Sequence, residues 1–174
     1  MLFLVRYRYT FLTRKQFSIF YYLPVGSDLD HKIKAAAAAG EPQWGGIGEG
    51  AGLKVWRIEQ FKVVPWPEDK YGSFHTGDSY IVLNSYNVAD SDKLHHDLHI
   101  WIGTESSQDE YGTAAYKMVE ADEALGGTAI QYREVQGNES DLFQSCFDKL
   151  TYLQGGAGSG FAHVEATVDA PHLY

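Results

Sequence analysis

Apolar positions recur at helical spacing over residues 107–129, SQDEYGTAAYKMVEADEALGGTA, the only long segment with a clean 3.6-residue period. Ser107 stands at the N-cap position and Glu110 three residues on, the S-x-x-E capping box. Gly126 and Gly127 supply the stop, because glycine enters the left-handed conformation without steric cost. A helix over 108–125 would be about 27 Å long. Tyr111, Ala114, Ala115, Met118 and Leu125 fall on one side of it and form the expected core face. A second stripe, Gly112, Tyr116 and Val119, lies a quarter-turn away. A helix packed on a sheet needs one apolar stripe, so the second has two readings. Tyr116 is half-buried with its hydroxyl in water, or the stripe is a face for a partner's groove, with Gly112 permitting close approach.

Elsewhere the pattern predicts strands. Residues 53–58 alternate apolar with basic, as a half-exposed strand does, and 61–64 continue to Pro65-Trp66-Pro67. Residues 71–77 are turn-rich. Residues 78–86 (DSYIVLNSY) form an apolar, central strand, and 94–102 (LHHDLHIWI) another, closed by Gly103. After the long helix come a strand at 128–135, a short helix at 139–147 and a short strand at 152–154. The loop 155–160 (GGAGSG) leads to 161–164. Upstream, HKIKAAAAA supports a short helix over 28–39, and a glycine-rich linker follows, which Trp44 could pin to the domain. Five strands with two unlike helices predict one α+β domain on a mixed sheet. The expected division is an extension over 1–40, poorly ordered, a linker over 41–52, a domain over 53–165 and a tail over 166–174.

Composition narrows this picture. At 174 residues and 44% hydrophobic, the chain can bury one real core. A net charge of −9 argues against nucleic acid as a partner. The charge is uneven: residues 1–30 carry Arg6, Arg8, Arg14 and Lys15 against Asp28 and Asp30, so the rest is more acidic still. The one cysteine, Cys146, excludes an internal disulfide and suits a reducing compartment. No apolar run is long enough to span a bilayer. The basic, aromatic leader 1–23 makes a poor signal peptide, since Arg6 and Arg8 interrupt its apolar stretch and no small-residue cleavage site follows; arginines without acids would suit a mitochondrial presequence but the usual serines are lacking, and a poorly ordered leader is expected.

Candidate chemistry is sparse. His95, Asp97 and His99 share one strand face, which could ligate zinc or copper or be a polar stripe with one histidine under a loop. The 155–160 loop lacks G-x-G-x-x-G or Walker spacing, so it suits close backbone approach or a bare carbonyl offered to a cation. Cys146 sits among Phe143, Phe147 and Leu150 and reads as an inert core thiol. No catalytic arrangement stands out, and no enzyme is expected. Asp78 opens a strand after Gly77, Glu110 lies in the first turn of the long helix, and Asp122 lies in its last turn beside Gly126-Gly127, the kind of place where hard cations find oxygens; for each acid, the residues alone favour a cap or a solvated charge.

LKVWRIEQFKVVPWP, YGSFHTGDSYIVL, DLHIWIGTESSQDEYGTAAYKMVEADEALGG, AIQYREVQGNES and GGAGSGFAHV resemble the first segment of the gelsolin family, most of all its three-segment members, severin and fragmin. The likeness runs over about 41–164. It implies a five-stranded mixed sheet between one long and one short helix, and a calcium-controlled actin-binding module of the cytoplasmic actin cytoskeleton. In that family the long helix enters the cleft at the barbed end of an actin monomer. The positions that carry over are Gln108, Gly112, Tyr116, Val119 and Glu123. An internal calcium (Ca2+) site is implied at the Gly77 carbonyl, Asp78, Glu110 and the Ala157 carbonyl. A second, shared with actin, is implied at Asp122 and the carbonyls of Gly127 and Ala129. The family's basic phosphoinositide stretch is replaced here by 148–154, DKLTYLQ, which argues against phosphoinositide control through it. The expected function is monomer binding and barbed-end capping. The alternative is a degenerate module of the same fold that binds no actin.

Overall fold

The computed structural model describes residues 28–88 and 93–157. In chain order they form α1 (Asp28–Ala39), a 3-10 turn (Pro42–Trp44), β1 (Gly52–Glu59), β2 (Lys62–Pro65), a second 3-10 turn (Glu68–Lys70), β3 (Ser73–His75), β4 (Ser79–Asn87) and β5 (Leu94–Ile102). Then come α2 (Gln108–Ala124), β6 (Ile130–Val135), α3 (Asp141–Gln144) and β7 (Thr151–Leu153).

The main sheet has the order β2-β1-β4-β5-β6. Its first four strands pair antiparallel, and β6 joins β5 in parallel, so the sheet is mixed as expected. β4 sits at the centre because Ser79–Leu83 can be buried on both faces. β1 and β2 turn through Gln60 and Phe61, both at positive φ, and Glu59 pairs with Lys62 across a two-residue hairpin loop.

Strand alternation sorts the core into two layers. Trp56, Ile58, Ile81, Leu83, Leu98, Ile100 and Ile102 face Ala114, Met118 and Ala121 of α2. The small alanines let α2 lie close on the sheet. Val55, Tyr80, Val82 and Trp101 face the opposite way, against Trp66, Phe74 and Phe143. There Phe74 stacks on Trp101 with ring centroids 5.0 Å apart. The long and short helices thus sandwich the sheet.

Four expectations are corrected. Tyr111, placed on the core face, is exposed, because the side of α2 packed on the sheet runs through Ala114, Met118 and Ala121 and leaves Tyr111 off it. The turn-rich 71–77 contains β3, whose partner is the distant β7, in parallel. The short helix over 139–147 contracts to the four residues of α3. The folded unit also starts before residue 53: Ala38, Trp44 and Ile47 are buried in the α2-side core, and α1 packs along α2. Trp44 meets Trp56 edge-on at 5.2 Å, the pinning role foreseen for it. The expected leader, the end of the 155–160 loop with the segment 161–164 it leads to, and the tail lie outside the described residues.

Candidate functional site

Asp78 begins at the mouth of β4, and its side chain is fully buried. Asp78 Oδ2 takes an ion pair from Arg57 Nη2 at 2.7 Å and a hydrogen bond from the Tyr80 hydroxyl at 3.4 Å. Asp78 Oδ1 accepts the Ala157 N–H at 2.8 Å. The glycine loop reaches that close because a Cβ on Gly156 would lie 2.5 Å from Asp78 Oδ1. Gly77 is tied to the same loop, its N–H donating to the Gly155 carbonyl at 2.8 Å. Gly77, Asp78 and Ala157 are therefore together.

Glu110 joins them from the first turn of α2. Its Oε2 closes the capping box, accepting the Ser107 N–H at 3.0 Å while Ser107 Oγ accepts the Glu110 N–H at 3.3 Å. Its Oε1 is buried with no hydrogen-bond partner. The cap and a ligand role thus fall on different oxygens of one carboxylate. Burial pushes the Asp78 carboxyl above its ordinary range; Arg57 and the Ala157 N–H oppose this, and the nearby Glu110 charge adds to it. A buried carboxylate oxygen without a donor, beside a second buried carboxylate, is a donor set suited to a hard cation.

At the other end of α2, Asp122 Oδ1 accepts the Ala129 N–H at 3.0 Å and Asp122 Oδ2 the Gln131 amide at 2.8 Å. The Asp122 carbonyl accepts the Gly127 N–H at 2.8 Å. Asp122, Gly127 and Ala129 are gathered at one corner. Among the described residues no three His, Cys, Asp or Glu side chains cluster in a way that could hold a metal. An ion in either place would depend on backbone carbonyls.

The outer face of α2 carries Gln108, Gly112, Tyr116, Val119 and Glu123. Gln108 and Tyr116 are exposed and the other three half-buried. Tyr116 keeps 45% of its surface open, and a Cβ on Gly112 would meet nothing within 4 Å. Partial burial and the nearby Glu120 charge push the Tyr116 hydroxyl up, and Lys117 Nζ lies 5.9 Å from the Tyr116 ring centroid. Glu120 accepts from Lys117 at 2.8 Å, and Lys117 also reaches Glu41 at 3.0 Å. Glu123 lies 3.6 Å from His31 of α1.

The His95, Asp97, His99 stripe is a polar network. His99 is fully buried; its Nδ1 lies 3.0 Å from Glu134 Oε1 and its ring stacks on Tyr132. Burial pulls the His99 imidazole below its ordinary value, against Glu134, which raises it. Burial alone would raise Glu134, but two hydrogen bonds from Ser140 and the His99 contact leave it lowered. Burial and the nearby Asp97 charge push the Tyr86 and Tyr132 hydroxyls up. Cys146 is half-buried, and burial pushes its thiol up to about 11. Sequence reasoning missed Arg57, Glu120 and Glu134. Arg57 carried a signal: it shares the inward face of β1 with Val55, where an arginine needs a carboxylate.

Residues 60–144 match the family model for the gelsolin repeat. Over 150 residues the chain is 53% identical to gelsolin-like protein 1 of Lumbricus terrestris, covering 85% of this chain and 41% of that protein. Over 154 residues it is 45% identical to severin of Echinococcus granulosus, with the same two coverages, 85% and 41%. Among solved structures, a chain of the Thorarchaeota 2DGel3/rabbit actin complex aligns with a TM-score of 0.52 at 26% identity, covering 65% of this chain and 51% of that one. The chain spans about two fifths of the length of these curated relatives.

Proposed function

Because this chain belongs to the gelsolin family, we propose that it is an actin-binding module whose long helix α2 docks in a hydrophobic cleft of an actin monomer. The observation that carries this reading is the outward stripe of half-buried Gly112 and Val119 around the exposed Tyr116, on the helix whose other side packs on the sheet. Tyr116 is exposed, and the space beside Gly112 lets a partner's surface come close. An exposed aromatic beside a glycine suits the anchor of a helix-in-groove contact. The solved relative in complex with actin supports the choice of partner.

Occupying that cleft blocks the next subunit, so the module sequesters monomers and caps barbed ends. The role is one of binding, without catalysis, in the cytoplasmic actin cytoskeleton. Control is by calcium. Asp78, Glu110 and the carbonyls of Gly77 and Ala157 would hold one ion in the free domain. Asp122 with the carbonyls of Gly127 and Ala129 would hold a second, completed by actin. The unpartnered Glu110 Oε1 and the loop backbone laid on Asp78 support the first site; the Asp122 corner supports the second. Bound calcium supplies positive charge that neutralises these carboxylates and links two elements.

The test is elongation of pyrene-labelled actin from filament seeds, in calcium and in chelator. Slowed barbed-end growth in calcium is the expected result. Unchanged growth in both conditions would favour the degenerate module that binds no actin.

A further inference from the structure

Asp78 is fully buried, and a buried carboxylate needs a counter-charge. Arg57 supplies it, with Nη2 at 2.7 Å from Asp78 Oδ2. The same guanidinium reaches a second carboxylate, Nη1 lying 3.2 Å from Glu59 Oε1. Its centre also lies 5.5 Å from the Trp66 ring centroid, over the indole. Its Nε is buried without a hydrogen-bond partner. Arg57 is thus anchored by two contacts that do not involve Asp78, and it is not fully satisfied where it stands.

We propose that Arg57 is a tethered counter-cation that competes with the divalent ion for Asp78 and thereby sets the calcium affinity of the internal site. The inference rests on the calcium reading of Asp78 and Glu110. When an ion enters between those two carboxylates, Arg57 gives up Oδ2 and keeps Glu59 and Trp66. The ion must displace one positive charge and then sit near it. The site is therefore weaker than its carboxylates alone would make it, and it fills only when calcium rises. No bond is made or broken; the exchange is of one cation for another at a single oxygen.

The experiment is calorimetric calcium titration of the full chain and its R57Q variant, with thermal melts in chelator and in saturating calcium. Removing one adjacent positive charge should tighten calcium binding by roughly tenfold. The melting temperature of R57Q should fall in chelator, where Asp78 has lost its partner, and return close to wild type in calcium. A variant folded in calcium and unfolded in chelator supports the exchange equally. Calcium binding that is unchanged or weaker in R57Q overturns it, as does a variant unfolded in both conditions. A wild-type chain with no calcium response overturns the calcium reading itself, and Arg57's role with it, while leaving actin binding to its own assay.

Discussion

Tyr116 and Glu110 divide the work of α2 between its outside and its first turn. Tyr116→Asp places a charge where an apolar cleft would close, and an unpaired buried charge costs several kcal/mol. Actin affinity should collapse, while the melting temperature shifts little because the site is 45% exposed in the free domain. Sedimentation of actin with the variant, beside a thermal melt, reads both; unchanged binding would show that α2 does not dock this way. Glu110→Gln keeps a capping-box residue at N3 but removes the charge behind the orphan Oε1. It should shrink the calcium-induced rise in melting temperature of the free protein. Asp122→Asn should leave that rise nearly intact and weaken actin binding in calcium only, since its corner offers one carboxylate and two carbonyls. The opposite pattern would mean the two sites are exchanged.

His99 carries a pH signature. Its folded-state value lies below the ordinary 6.5, so folding favours the neutral ring. The stability this gives is fully present above about 6.5 and is lost as pH falls through the folded value. Glu134, lowered from 4.5, contributes in the same direction at lower pH: its stabilisation is present above 4.5 and lost as pH falls through its folded value. The melting temperature should therefore fall from pH 7 toward pH 5.5. His99→Gln should flatten that part of the profile even though it lowers the plateau. Parallel profiles for wild type and variant would assign the acid sensitivity to other groups.

At the scale of elements, periodicity and capping made most of the scaffold legible. The alternation in LKVWRI and LHHDLHIWI marked β1 and β5, and the S-x-x-E box with the Gly126-Gly127 stop marked α2 to within a residue. The failures share a cause. β3 is three residues long and exists through β7, which the sequence did mark at 152–154, and no local pattern announces a partner so far along the chain. Tyr111 satisfies the helical period but falls off the side of α2 packed on the sheet, which runs through Ala114, Met118 and Ala121. Trp44 and Ile47 looked like linker because glycines surround them, and Ala38 like part of a loose extension, yet burial is decided by what they meet. The Asp78, Glu110 and Ala157 gathering was legible through family likeness; the Arg57 contact with it was not, being a tertiary ion pair. One element holds visible strain. The β1–β2 turn puts Gln60 and Phe61 at φ 47° and 66°, a geometry that favours Asn and Gly. Gln60→Asn should stabilise the fold by about 0.5 kcal/mol in denaturant unfolding, and a loss of stability would show that the glutamine side chain makes up for the strain.

At the scale of the whole molecule, one gelsolin repeat carries one long helix with the proposed docking stripe. Severing needs a grip on the filament side as well as insertion at the cleft, and linked sites gain through effective concentration. This chain alone should cap and sequester in calcium yet cut filaments poorly. Single-filament microscopy decides it; cutting as fast as a three-segment severin would require a second actin-binding surface within these residues.

The parallel pairing of β3 with β7 has a consequence in time. Ser73 meets Thr151 and His75 meets Leu153, and just beyond them the Ala157 N–H closes on Asp78. During synthesis, α2 and the sheet strands emerge from the ribosome well before the residues that seal this clasp. A nascent chain can thus expose α2 while the pocket around Asp78 still lacks one wall. If α2 docks on actin and Asp78 holds calcium as proposed, reach comes first and restraint second, and a pause in translation between 125 and 157 would lengthen the interval between them.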